Sequence, residues 1–173
     1  MDIQEVVFLD FEASSLSNES WPIEIGVSWL GEGEKVMTES DLIKPSPLWD
    51  LDDWSTVSAG VHNIRMADLM KSAEAHVISE KYRDLLHGKC ILSDNPRWEA
   101  MWLNRLFESG QGKAHVHINS LHQFVDMTLD EYAKDKFYEK LRITMTPHRA
   151  GPDSAKLLKC WLFAVELNED PEP

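Results

Sequence analysis

The sequence predicts an α/β domain on three observations. A short apolar run near the N-terminus ends in paired acids, alternating runs continue it as a meander, and in the second half short apolar runs alternate with amphipathic helical segments. A chain of 173 residues with 43% hydrophobic content is long enough for one domain with its own core. Residues 1–167 are expected to form it, ahead of an acidic, proline-containing tail at 168–173 that is expected to fray.

Val6, Val7, Phe8 and Leu9 are apolar, two of them β-branched, and the run is too short for a helix. It reads as a buried strand that leads into Asp10 and Glu12. Residues two apart on an extended backbone share a side, so the two carboxylates converge at the strand tip. Carboxylates that close repel each other, and no basic residue lies nearby in sequence. Oxygen ligands without neighbouring Cys or His suit Mg²⁺ or Mn²⁺ better than zinc.

Residues 13–20 form a small polar loop. Ile23, Ile25, Val27 and Trp29 then alternate with Glu24, Gly26 and Ser28, which predicts a second strand. Gly31-Glu32-Gly33 is a turn, and a third strand over 35–43 completes an antiparallel meander that Pro45 and Pro47 end. Residues 48–65 are expected to wrap over the surface with one short helix. Val77, Ile78, Tyr82, Leu85 and Leu86 define a helix over 75–87 that Gly88 caps, and 89–93 is a fourth strand. Asn95-Pro96 has the form of an N-cap followed by proline at the first helical position. The helix it opens, 96–107, buries Trp98, Trp102, Leu103 and Leu106. After a loop at 110–113 come a short fifth strand over 116–119 and two helical pieces over 121–141. A loop over 142–152 follows, and a last helix starts near Asp153 with Ala155, Leu158, Leu162 and Val165 inward.

The formal charge of −13 argues against a tight grip on long duplex DNA, which needs a basic stripe. It leaves room for a site that takes one chain end, because bound cations reverse the local sign at the carboxylates. No basic region precedes an apolar run at the N-terminus, and no stretch approaches the ~18 apolar residues of a membrane span. A soluble, cytoplasmic protein without a membrane partner is expected. Cys90 and Cys160 sit in apolar runs, where free thiols act as small hydrophobes. Of the seven tryptophans, Trp29, Trp98, Trp102 and Trp161 fall on apolar faces, whereas Trp21 lies in the loop after the first acids and is the one placed to meet a substrate. His76, His87, His115, His117 and His122 are scattered without ligand spacing.

Acids next to apolar elements recur at Asp94 and Glu99, around the fourth strand tip, and at Asp153, five residues after His148. Alone, each is what a solvated loop or an N-cap also produces. Their order and spacing resemble the DnaQ-like 3′-5′ exonucleases of the DEDDh type, and the resemblance covers nearly the whole chain. Its first motif, a strand followed by Asp-x-Glu, stands as Phe8-Leu9-Asp10-Phe11-Glu12. Val61-His62-Asn63-Ile64 is similar to the family's Val-His-Gly-Ile, and His148-Arg149-Ala150-Gly151-Pro152-Asp153 to its His-x4-Asp. The second motif departs from the family pattern: in the best register, Asp94 to Leu103, the family's ligand aspartate becomes Glu99, while Asp94 offers the family's residue type at the strand end. Register favours Glu99, and both are carried as candidates.

The resemblance implies a ribonuclease H-like fold with a central mixed five-stranded sheet flanked by helices. It implies two Mg²⁺ or Mn²⁺ ions held by Asp10, Glu12, Asp153 and the second-motif acid, with His148 as general base. Ala13, Ser14, Leu16, His62 and Asn95 would receive the terminal nucleotide, with Ser15 where Gly is common. The expected activity is release of nucleoside 5′-monophosphates from single-stranded 3′ ends, and the charge favours RNA or short oligonucleotides. The alternatives are a DNA-trimming or proofreading exonuclease and a non-catalytic interaction module on the same fold. A homodimer that extends the substrate groove is a further expectation.

Overall fold

The computed structural model describes residues 3–110, 112 and 116–169. His115 and residues 170–173 of the predicted tail lie outside them. The strands are β1 (Val6–Ala13), β2 (Pro22–Leu30), β3 (Val36–Lys44), β4 (Ala73–Glu74), β5 (Cys90–Ser93) and β6 (Ile118–Ser120). The helices are α1 (Thr56–His62), α2 (Met66–Leu69), α3 (Ala75–Leu86), α4 (Pro96–Glu108), α5 (Leu121–Thr128), α6 (Glu131–Ile143) and α7 (Ala150–Glu169).

The strands form one mixed sheet in the order β4-β3-β2-β1-β5-β6. β1, β2 and β3 are the predicted antiparallel meander, and β5 and β6 add in parallel beside β1. The sheet has six strands rather than five. The extra one, β4, is two exposed residues parallel to the end of β3, too short and too polar to leave a hydrophobic signature.

Period two along β1 divides the molecule into layers. Val7, Leu9 and Phe11 face α3 and α4 through Tyr82, Leu86, Trp102 and Leu106. Val6 and Phe8 face the other layer, packed with Phe137 of α6 and Leu157, Leu158 and Trp161 of α7. Asp10 and Glu12 continue the even-numbered series, so they emerge on the α7 side where the apolar packing stops.

β2 is buried on both faces, although its alternation predicts one polar face. The reason is α7, which lies directly on it. A Cβ on Gly26 would stand 2.2 Å from the carbonyl carbon of Ala150, and one on Gly151 would stand 2.7 Å from Ser40 Oγ. Only glycines admit so close a helix–sheet contact. Ser28 and Ser154 seal it with a 2.9 Å hydroxyl pair.

The last helix begins at Ala150, three residues before its expected start, because proline is tolerated in a first turn whose N–H groups are free. It also continues through Asn168 and Glu169, the first two residues of the expected tail. Asn95 occupies the N-cap position of α4 but makes no side-chain cap bond. The segment over 48–65 carries α1, and α2 follows it; together they cover a satellite core of Trp21, Ile23, Ile64 and Leu69. Trp21 is therefore a core residue: it is wholly buried, it stacks on Trp49, and its indole N–H donates to the Asp50 carbonyl. Cys90 and Cys160 are free, half-buried and buried respectively. Among the described residues no helix is long and apolar enough to cross a membrane.

Candidate active site

The first strand supplies Asp10 and Glu12, and the first turn of α7 supplies Asp153. One carboxylate oxygen from each lies within 4.8 Å of the others. They line a cleft of about 340 Å³ together with Asp94, Thr146, His148 and Lys156. His148 is exposed and holds φ +52°, a conformation a non-glycine residue adopts only when its surroundings fix it.

Glu99, in the first turn of α4, is 3% exposed. Its Oε2 is buried without a hydrogen-bond partner. Burial raises its pKa well above the ordinary value, and repulsion from Asp10 adds to it. Asp94 is exposed at the cleft mouth. The two second-motif candidates thus occupy different places, one behind Asp10 and one in front.

The electrostatics of the cluster are unfavourable as they stand. Burial, then repulsion from Glu12 and Asp153, holds the Asp10 pKa well above the carboxylate range. Glu12 is pushed up to about 8, chiefly by burial and then by Asp153 and Glu24, with Arg149 opposing. Three converging carboxylates are hard oxygen donors of the kind a divalent cation takes, and Glu99 lies outside that group. The residues present therefore fit such an ion, with Asp10, Glu12 and Asp153 as its holders.

A second hollow of about 170 Å³ adjoins the first, sharing Phe11 and Glu12 and lined also by Ala13, Ser15, Leu16, Val61 and His62. Leu16 stands at its lip, 71% exposed, and His62 is buried. His62 Nδ1 accepts from the Ile64 N–H, which assigns the proton to Nε2. Burial lowers the His62 pKa. Ser14 is turned away into the fold, its hydroxyl accepting from the Trp21 N–H. Asn95 is exposed and lines neither hollow. A larger hollow of about 760 Å³, lined by Arg83, His87, Lys89 and Phe107, opens at the far end of β5 from Asp94 and contains none of the motif residues.

Three residues of the site were not singled out from the sequence. Glu24 is 3% exposed and sits opposite Glu12 in the β1–β2 register. Arg149 binds it through a two-pronged contact, Nε to Oε2 at 2.8 Å and Nη2 to Oε1 at 2.6 Å. Lys156, one turn beyond Asp153, brings a cation to the acidic cleft. A glutamate inside an apolar strand was the signal for Glu24, since a buried carboxylate requires a cationic partner.

The six-stranded mixed sheet flanked by helices is the ribonuclease H-like fold, which solved exonuclease structures share. Among particular solved structures, the chain matches exonuclease I in its apo form with a TM-score of 0.70 and 12% identity, over 95% of this chain and 42% of that one. It matches E. coli exonuclease I in complex with a dT13 oligonucleotide with a TM-score of 0.68 and 11% identity, over 95% and 41%. The zinc-bound E. coli exonuclease I–ssDNA complex gives 0.65 and 11%, over 93% and 40%. The chain spans about two fifths of the length of these structures. At such identities the likeness shows the fold. No protein-family model and no curated protein sequence matches the chain.

Proposed function

We propose that this chain is a divalent-metal-dependent 3′-to-5′ exonuclease that releases nucleoside 5′-monophosphates from single-stranded ends, with RNA or short oligonucleotides favoured. The observation that carries this reading is the meeting of Asp10, Glu12 and Asp153 in a cleft that His148 also lines. Asp10, Glu12 and Asp153 hold Mg²⁺ or Mn²⁺, two ions per site, with Glu99 as the fourth acid behind Asp10 and Asp94 as the alternative. When bound, such ions activate a water and neutralise charge on the departing 3′ oxygen. His148 would take the proton of the attacking water as its oxygen bonds to phosphorus and the bond to the 3′ oxygen breaks. Ala13, Leu16 and His62 receive the terminal nucleotide in the adjoining hollow, and Lys156 meets a phosphate. The setting is the cytoplasm, where Cys90 and Cys160 stay reduced.

DNA as the substrate is the second reading, favoured by neighbours solved with dT13 and with ssDNA. Matched 3′-labelled RNA and DNA strands, digested with Mg²⁺ or Mn²⁺ by the parent and by Asp10→Ala, separate the two. Release of 5′-mononucleotides by the parent alone is expected, faster from RNA. No release from either strand, together with no effect of Mn²⁺ on melting, would leave the non-catalytic module in its place. Sedimentation tests the homodimer.

A further inference from the structure

We infer that Glu24 and Arg149 form a positioning latch that sets the His148–Asp153 segment against the strand carrying Asp10 and Glu12. The inference rests on the nuclease reading for its catalytic consequence, and on geometry for the rest. Glu24 belongs to β2, opposite Glu12, so its place is fixed by the same ladder that fixes the first acids. Arg149 lies in the other contributing segment, between His148 and α7. Its guanidinium grips Glu24 at 2.8 and 2.6 Å, and the Ala150 N–H donates to Glu24 Oε2 at 3.0 Å.

The same residue is tied to the third acid through its backbone. The Arg149 N–H donates to Asp153 Oδ2 at 3.0 Å, and the Asp153 N–H donates to the Arg149 carbonyl at 2.9 Å. One residue therefore joins the sheet at one end and a ligand carboxylate at the other. His148, immediately before it, is in the left-handed region at φ +52°. That conformation persists only where neighbouring contacts determine it, and the fork beside it supplies such a contact. Partners of this kind, one step removed from the ligands, orient metal-binding carboxylates.

The opposite reading is that Arg149 only neutralises the acids. The two readings differ in sign. A guanidinium that merely places positive charge near Glu12 competes with a metal ion, so its removal would tighten metal binding. A latch holds Asp153 in place, so its removal weakens binding, by about 10-fold or more.

The test uses Mn²⁺ alone, titrated by electron paramagnetic resonance into the metal-free parent, Arg149→Met and the double variant Glu24→Gln/Arg149→Met. The double variant strands no buried charge, because both partners become neutral, and its amide oxygen can still accept from the Ala150 N–H. Weaker Mn²⁺ binding by a cooperatively melting double variant is expected, with kcat reduced more than ~10-fold and KM within about twofold. Unchanged or tighter Mn²⁺ binding overturns the latch, and so does a parent that binds no Mn²⁺. A parent that binds Mn²⁺ yet cleaves nothing overturns the nuclease reading while the Mn²⁺ comparison still decides the latch. Should the double variant not fold, Arg149→Lys, which keeps the charge without the fork, decides by the same comparison.

Discussion

Glu24 and Glu99 are two glutamates with the same 3% exposure and opposite circumstances. Both carboxylate oxygens of Glu24 are engaged, by the Arg149 fork and the Ala150 N–H. Glu99 has one oxygen without a partner and Asp10 as its strongest repulsive neighbour. The difference teaches where this fold is finished and where it is not: on the α7 side the buried charge is satisfied by protein, and beside Asp10 it is left for something else. A satisfied group stabilises the scaffold, whereas Glu99 keeps an unsatisfied carboxyl oxygen buried next to the acid that lines the cleft.

The comparison breaks most severely if α7 is lifted off the sheet. Gly26→Ala places a methyl group 2.2 Å from Ala150 backbone atoms, and neither backbone can yield without moving the helix start. A loss of about 3 kcal/mol is expected in denaturant melts, with activity falling alongside. The glutamates themselves sharpen the contrast. Glu24→Gln removes the charge that Arg149 grips and should cost about 1–2 kcal/mol without metal. Glu99→Gln replaces a carboxyl that burial already drives toward its neutral form. It should leave metal-free stability at neutral pH at or above that of the parent while reducing the melting shift that Mn²⁺ produces.

Acidity tests the unsatisfied side by sign. The folded-state pKa of Glu12 is raised from its ordinary 4.5 to about 8, so between those pH values the folded protein holds a proton that the unfolded chain has lost. Metal-free stability should therefore fall as pH rises through that window, by up to ~1.4 kcal/mol per pH unit for each such group. Asp10 and Glu99 are shifted the same way and add to the slope. Mn²⁺ favours the deprotonated forms, so melts with the metal should show a flattened or reversed slope. The smallest effect is at the cleft wall: Lys156→Ala should raise KM by roughly threefold to tenfold with kcat within about twofold, and should weaken the salt dependence of binding.

Much of this molecule was legible in its sequence because the informative residues obey short-range periodicities. The meander, the strand before Asp94 and the amphipathic face of α4 all follow from apolar spacing, and so does the shared side of Asp10 and Glu12. What escaped depends on pairings between distant segments. β4 exists only because Ala73 and Glu74 find the end of β3, and the full burial of β2 follows from a helix more than 100 residues later in the chain. The Arg149–Glu24 contact spans 125 positions, so neither residue announces the other locally. Trp21 was misplaced for a related reason: its loop looked free until α1 and α2 folded over it.

The most direct measurement is the melting temperature of the metal-free parent and of Asp10→Ala, each with and without Mn²⁺. Three acids meeting around a cation predict that the parent is stabilised by Mn²⁺ and the variant far less. They also predict that the variant without metal melts at or above the parent, because the cost of burying that carboxyl among other acids is gone. Equal Mn²⁺ shifts in the two proteins, or none in the parent, would contradict the account.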